Sequence, residues 1–219
     1  MGAPHDPGDA PVSEHERTMW DTGRHVIGID EVGRGAWAGP VTVAAVILSP
    51  DDLPRGARDS KRLSPKRRAS VAERICATAL VGVGSATNEE VDDRGLTVAL
   101  QVAARRAYAT VMALPDAPTR PLVLVDGPHD LLHLDDVDVV TMVRGDAAAI
   151  SIASASVVAK VHRDALMGAA DTEFPAYGFA RNRGYGSPEH ADALTRIGPC
   201  ALHRRSWAPI RQLRQPPLL

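Results

Sequence analysis

Cysteine is nearly missing from this chain: Cys76 and Cys200 are the only two in 219 residues. Thiols this few and this far apart make neither a disulfide framework nor a metal-cluster spacing. They exclude a disulfide-stapled secreted scaffold and read as idle thiols in a reducing, cytoplasmic setting. Aromatic residues contribute 4%, so a core has to be built from Val, Leu, Ile and Ala. No apolar run approaches the roughly 20 residues of a membrane helix. No basic segment leads into an apolar one near the N-terminus, so no secretory signal is expected. Internal repeats are missing too, which argues against a solenoid.

What is present is ordinary for a soluble globular protein: 44% hydrophobic and 24% charged residues, in a length that suits one sizeable domain with a small appendage. The net charge of −2 hides an asymmetry. Residues 175–214 carry Arg181, Arg183, Arg196, Arg204, Arg205, Arg211 and Arg214 against Glu189 and Asp192. A basic face on a near-neutral protein suits a polyanion-binding enzyme that keeps acids elsewhere.

Residues 1–17, rich in Pro, Gly and acids without apolar period, read as a disordered leader. VIGID (26–30), VTVAAVIL (41–48) and LVGVGSA (80–86) read as strands, the first two joined by a Gly-rich segment short enough for antiparallel pairing. Ser64-Pro65 opens a helix, and a helical stripe runs from Glu89 to about Leu114. PLVLVDG (121–127) and VDVVTMV (137–143) are apolar runs of the kind found in buried parallel strands. A long helix follows over about 150–171, and Ser187-Pro188 opens another. The pattern predicts an α/β protein with a mixed sheet flanked by helices over residues 18–174, and a helical C-terminal segment over 175–219 that would help bind substrate.

Three of these strand-like segments end on acids: Asp30 and Glu31, Asp126, and Asp146 just beyond the third. A lone strand-end Asp is usually a turn or cap residue, but four acids from three segments, if they meet, make an all-oxygen site. Close carboxylates raise one another's pKa unless a cation neutralises them. Oxygen ligands select hard ions such as Mg²⁺ or Mn²⁺. The set therefore predicts a two-metal site suited to in-line displacement at phosphorus.

Six motifs in this order carry a resemblance: DEVGRGAWAGPV (30–41), DSKRLSPKRR (59–68), LVDGP (124–128), ISIASASVVAKVHRD (150–164), YGFARNRGYGSPEH (177–190) and HRRSWAP (203–209). Together they resemble the type 2 ribonucleases H, over about residues 26–210. The resemblance implies a ribonuclease H-like five-stranded sheet and metal-dependent endonucleolysis of RNA in RNA–DNA hybrids. It also implies nicking 5′ of single ribonucleotides in duplex DNA, leaving a 3′-hydroxyl and a 5′-phosphate. By motif, Asp30, Glu31, Asp126 and Asp146 would hold the metals, Mn²⁺ or Mg²⁺. Gly33, Arg34 and Gly35 would read the ribose 2′-hydroxyl and grip the adjoining phosphate, and Tyr185 would stack at the RNA–DNA junction.

Lys61 is expected to contact a phosphate. Lys160 and Arg163 share a helix face and, with Ser154 and Ser156, would grip the nucleic-acid backbone; a Lys160–Asp164 ion pair is the alternative. His190, His203, Arg204 and Arg205 read as phosphate-side or structural residues. For the three tryptophans packing is the default, and Trp37, beside GRG, is the one candidate for touching substrate. Two positions depart from the family pattern: Ala-Ala-Ala follows Asp146, and Ser154 stands where alanine is commoner. The tail QLRQPPLL faintly resembles sliding-clamp peptides. A monomer is expected. A sugar kinase-like ATPase and a non-catalytic hybrid-binding module are the competing readings; the second should have lost an acid, and all four are present.

Overall fold

A computed structural model describes residues 10–58 and 60–213. Five strands, β1 (Val26–Val32), β2 (Val41–Ile47), β3 (Leu80–Ala86), β4 (Leu122–Asp126) and β5 (Val139–Met142), form one sheet in the order β3-β2-β1-β4-β5. The first three pair antiparallel, and β4 and β5 add on parallel to β1. The helices are α1 (Glu14–Asp21), α2 (Pro65–Thr78), α3 (Asn88–Arg94), α4 (Leu96–Met112), α5 (Ile150–Glu173), α6 (Phe179–Asn182), α7 (Pro188–Ile197) and α8 (Ala208–Leu213). This is the mixed five-stranded α/β sheet flanked by helices that the sequence predicts.

Alternation along the strands sorts the core into two layers. Ile27, Ile29, Val123 and Val125 face α4. Val26, Leu122 and Leu124 face the other way, toward the start of α5, while Ala44 and Val46 meet α2 and α5. Gly28 lies where β1 and α5 cross: a Cβ there would stand 2.1 Å from the carbonyl carbon of Ser151. Only glycine lets the helix lie this close to the strand that ends in Asp30. A third cluster gathers Met167, Tyr177, Phe179, Ala193, Leu194 and Ile210 around the far end of α5, together with Ala38 from the loop after β1.

The structure departs from the sequence reading in three places. The leader expected over 1–17 is ordered from residue 10: the buried Ala10 donates its N–H to Ala57, and α1 begins at Glu14 under a Ser13–Glu16 capping box. A polar, Pro-rich composition concealed that box; residues 1–9 lie outside the described residues. The helical stripe from Glu89 is broken at Gly95, whose φ of 78° caps α3 and lets α4 start in a new direction. VDVVTMV forms an edge strand, half-buried rather than covered on both faces, because β5 has β4 as its only neighbour in the sheet.

Glu16 has an unexpected part. It is fully buried, and its two carboxylate oxygens accept from the N–H and hydroxyl of Ser13 and from the N–H and hydroxyl of Ser151, at 2.6–2.8 Å. The N-cap residue of α5 is Ala149, which has no side-chain acceptor to offer. Glu16 therefore caps α5 from a distant element and places negative charge at its N-terminus. Glu16→Ala would strand these donors in the interior. Chemical denaturation is expected to show a loss of about 2–4 kcal/mol; a loss within experimental error would refute the capping role.

Candidate active site

The strand ends put the acids together by register. Ile29 pairs with Val125, so Asp30 and Asp126 come next on adjacent parallel strands and point to the same face as Gly28 and Leu124. Glu31, one residue on, points to the α4 face. Asp146 sits in a 3₁₀ turn, Gly145–Ala147, directly before α5. All four acids line one cleft of about 400 Å³, with Gly33, Arg34, Gly35, Ser60, Lys61, Ser156, Lys160 and Tyr185. The four acids, Gly33, Arg34, Gly35, Lys61, Ser156, Lys160 and Tyr185, all named from the sequence, thus border the same space.

The acids are held by the chain itself. Asp30 is 6% exposed, and its carboxylate accepts from the Glu31 N–H at 2.7 Å. Burial, then the charges of Glu31 and Asp126, push its carboxyl well above the usual range, against the pull of a Ser156 hydrogen bond. Asp126 accepts from the Gly145 N–H at 2.7 Å, which fastens the turn bearing Asp146 to β4. Glu31 is ion-paired with Arg34 at 2.9 Å. In this arrangement no three His, Cys, Asp or Glu side chains among the described residues already converge as a metal cage. The donor set nevertheless fits a hard divalent cation: it is all oxygen, and the repulsion that raises Asp30 is what a cation between Asp30, Glu31 and Asp126 would relieve.

The loop after β1 is fixed from behind. Arg204, fully buried, donates to the carbonyls of Gly33 (2.7 Å), Arg34 (2.8 Å) and Gly39 (3.1 Å). Arg163 on α5, also fully buried, donates to Pro40 (2.8 Å), Ala38 (3.1 Å) and Arg183 (2.9 Å). Burial lowers both guanidinium groups, Arg204 to about 10, which leaves them cationic at neutral pH. With the carbonyls turned inward, the N–H groups of Arg34 and Gly35 have no acceptor among the described residues, and both residues are exposed. Gly33 needs its glycine internally: its φ is 91°, and a Cβ would meet the Arg163 Nε at 2.3 Å. Gly35 does not. Nothing lies within 4 Å of where its Cβ would be.

Several other residues stand differently from the sequence expectation. Arg163, expected to grip nucleic acid, is spent on carbonyls, with its guanidinium 5.3 Å from the centre of the Tyr185 ring. Ser154 returns its hydroxyl to the Ile150 carbonyl inside α5, so it faces away from the cleft. Lys160 both borders the cleft and pairs with Asp164 at 2.6 Å, so the two alternatives for it coexist. Trp37 packs where a Cβ on Gly186 would strike it, and against His190; it does not line the acid-bearing cleft. Sequence reasoning also missed a second cleft of about 430 Å³ that shares Glu31, Arg34 and Asp126 with the first and runs to Gln101, His129 and His133. Glu31, Arg34 and Asp126–Pro128 belong to the DEVGRG and LVDGP motifs, but the rest comes from α4 and from the loop after β4, outside any of the six motifs.

Comparison with known proteins gives a consistent picture. A family model described as Ribonuclease HII matches residues 27–210. The chain is 46% identical over 198 residues to the Ribonuclease HII of Parvibaculum lavamentivorans, spanning 89% of this chain and 70% of that protein. It is 45% identical over 209 residues to that of Streptomyces griseus, spanning 92% and 86%. Among solved structures, the PCNA:RNase HII complex from Archaeoglobus fulgidus has a similar chain, with a TM-score of 0.70 at 27% identity over 88% of this chain and 98% of that one. Bst-RNase HIII in complex with Mn²⁺ has a TM-score of 0.69 at 18% identity, covering 98% and 75%, a likeness of fold alone.

Beside the cleft, His203 is fully buried and its imidazole is pushed down to about 4, by burial first and then by His190. The unfolded chain takes up that proton near pH 6.5, whereas the folded protein refuses it until about pH 4. The unfolded state therefore binds more protons in this window, and the stability is fully present above pH 6.5 and lost as pH falls. Asp30, raised when folded, works in the opposite sense, so the test is a difference between variants. Relative to pH 7.5, the wild type is expected to lose about 2 kcal/mol more at pH 5 than His203→Gln does, by urea denaturation. Equal losses would show that His203 is not held neutral.

Proposed function

The chain belongs to the ribonuclease HII family and is a ribonuclease H, an endonuclease that degrades RNA in RNA–DNA hybrids; from that premise we propose that the cleft bearing Asp30 is its active site and that it also nicks duplex DNA 5′ of a single embedded ribonucleotide. The family's divalent-metal dependence suits the acids, and we assign Asp30, Glu31, Asp126 and Asp146 as the residues that would hold two ions, Mn²⁺ or Mg²⁺. Bound there, such ions supply Lewis acidity at the scissile phosphate, favouring an attacking water and a leaving 3′ oxygen.

The chain's own residues do the rest. Asp30 stays buried at the strand end, and Asp126 steadies the turn that presents Asp146. The outward N–H groups of Arg34 and Gly35 face a phosphate or a 2′-hydroxyl, the group that separates RNA from DNA. Lys61 and Lys160 put positive charge on the cleft wall for the neighbouring phosphates. Tyr185 offers a ring face to the junction of the two kinds of nucleotide. The second cleft, sharing its wall with the first, extends the trough for the duplex on either side of the cut. By analogy with the complex from Archaeoglobus fulgidus, the C-terminal tail is the segment to test for sliding-clamp contact, although residues 214–219 lie outside the described residues.

The observation that carries this reading is Gly35: a glycine with ordinary backbone and open space at its Cβ, beside two N–H groups without an acceptor among the described residues. Gly35→Ala is expected to leave the melting temperature within about 2 °C, a surface-sized effect. It should weaken cleavage of a duplex with one ribonucleotide at least 10-fold. In the same assay Asp126→Asn should abolish metal-dependent nicking while keeping hybrid binding. A Gly35→Ala enzyme with unchanged kcat/KM would remove the substrate from that loop, and an active Asp126→Asn would remove Asp126 from the metal site.

A further inference from the structure

Behind Tyr185 lies a chain of hydrogen bonds that the reaction chemistry does not use. The Cys200 N–H meets Nδ1 of His203 at 3.0 Å; Nε2 of His203 meets Nε2 of His190 at 2.9 Å; Nδ1 of His190 meets the Tyr185 carbonyl at 2.9 Å. Both histidines are fully buried. The main-chain group at each end allows one direction only, since a peptide N–H donates and a carbonyl accepts, and the Cys200 thiol, 3.2 Å from the same Nδ1, can donate there too. His203 must therefore accept at Nδ1, which leaves its single proton on Nε2. His190 must accept that proton's hydrogen bond at Nε2 and donate from Nδ1 to Tyr185. With both rings neutral, one tautomer of each satisfies every partner. A proton added to His190 would set two Nε2–H donors head to head at 2.9 Å, and one added to His203 would set its Nδ1–H against the Cys200 N–H at 3.0 Å.

The surroundings keep the pair in place. Tyr177 and Phe179 pack against both imidazoles, and Trp37 against His190, all at 4.8–6.2 Å between ring centres. One end of the chain is the turn at 200–203, where His203 pairs in a bridge with Ala38 of the loop after β1. The other end is the carbonyl of Tyr185, whose preceding residue, Gly184, accepts from the N–H groups of Trp37 and Ala38. The ring of Tyr185 emerges from this scaffold into the acid-bearing cleft.

We infer that His203 and His190 are positioning residues: a tautomer-locked strut that sets the main chain at Tyr185 and, through its ring, the enzyme's selectivity for a lone ribonucleotide over a long hybrid. This rests on the reading of Tyr185 as a substrate contact. The geometry separates the strut from ordinary core packing, because it predicts that nitrogen position matters and ring volume does not. Asn at 190 can still donate to the Tyr185 carbonyl; Phe fills the space and cannot. Gln at 203 keeps a donor toward His190; Leu does not.

The test is a cycle in kcat/KM, measured on a duplex with one ribonucleotide and on a long RNA–DNA hybrid, with melting temperatures recorded alongside. His190→Phe is expected to lower the single-ribonucleotide to hybrid ratio about 10-fold, and His190→Asn to keep it within about threefold. In a Tyr185→Ala background His190→Phe should change the ratio no further, since both act through the same ring. An equal drop in both backgrounds would overturn the strut and leave the histidines as packing. If Tyr185→Ala alone leaves the ratio unchanged, the substrate role of Tyr185 falls, and the strut with it. Should His190→Phe not fold, His203→Leu against His203→Gln makes the same comparison from the other end. Loss of the ratio in Leu and its retention in Gln are expected, and equal ratios would overturn the inference.

Discussion

Two buried cations with main-chain carbonyls for partners hold the proposed active site in shape. Arg204 and Arg163 reach the loop after β1 from two different elements, one from the C-terminal segment and one from α5. A buried guanidinium is costly unless its N–H groups are satisfied. Here carbonyls satisfy them, and the consequence falls on the loop: once its oxygens are drawn inward, its N–H groups at Arg34 and Gly35 must look outward. A carboxylate partner would have met the charge as well but would have left the loop free to turn. Arg163 also connects the loop to Tyr185, since it lies against that ring and holds the Arg183 carbonyl. The loop and the main chain before Tyr185 are thus shaped by interior hydrogen bonds.

The acids depend on a second constraint, the alternation of side chains along a strand. Adjacent Asp30 and Glu31 cannot share a face, so one lies in the wall near α5 and the other turns toward α4, where it borders both clefts. Asp126 joins Asp30 because the register of β1 and β4 makes them neighbours. The helix that closes this wall is itself fixed at its start by Glu16 and brought close by Gly28, so the position of Ser156 and Lys160 traces back to a carboxylate and a missing Cβ.

Much of this was legible in the sequence, and the boundary follows from physics. The sheet announced itself through β-branched runs, and the candidate acids through their places at strand ends. The six motifs named the family. What stayed hidden was direction. Arg163 and Lys160 sit three apart and look alike as letters, yet one points into the interior and the other to the cleft, because the helix stripe that decides this is set by packing against β1 and the C-terminal segment. Glu16 read as one more acid in a polar leader; only the fold reveals that it caps a helix 135 residues away. The histidine pair is separated by 13 positions and has no spacing that would flag it. Burial of a polar residue is a property of the partners it finds, which a local pattern does not contain.

The central claim is that the loop bearing Gly33, Arg34 and Gly35 is preset by the protein interior. Backbone ¹⁵N relaxation of these three residues in the free protein, compared with β1, tests it most directly. The account predicts order parameters near the rigid value of about 0.85, equal to those of the strand and unchanged when a ribonucleotide-containing duplex binds. Values below about 0.6 in the free protein, rising only on binding, would mean that the substrate shapes the loop and would contradict the account.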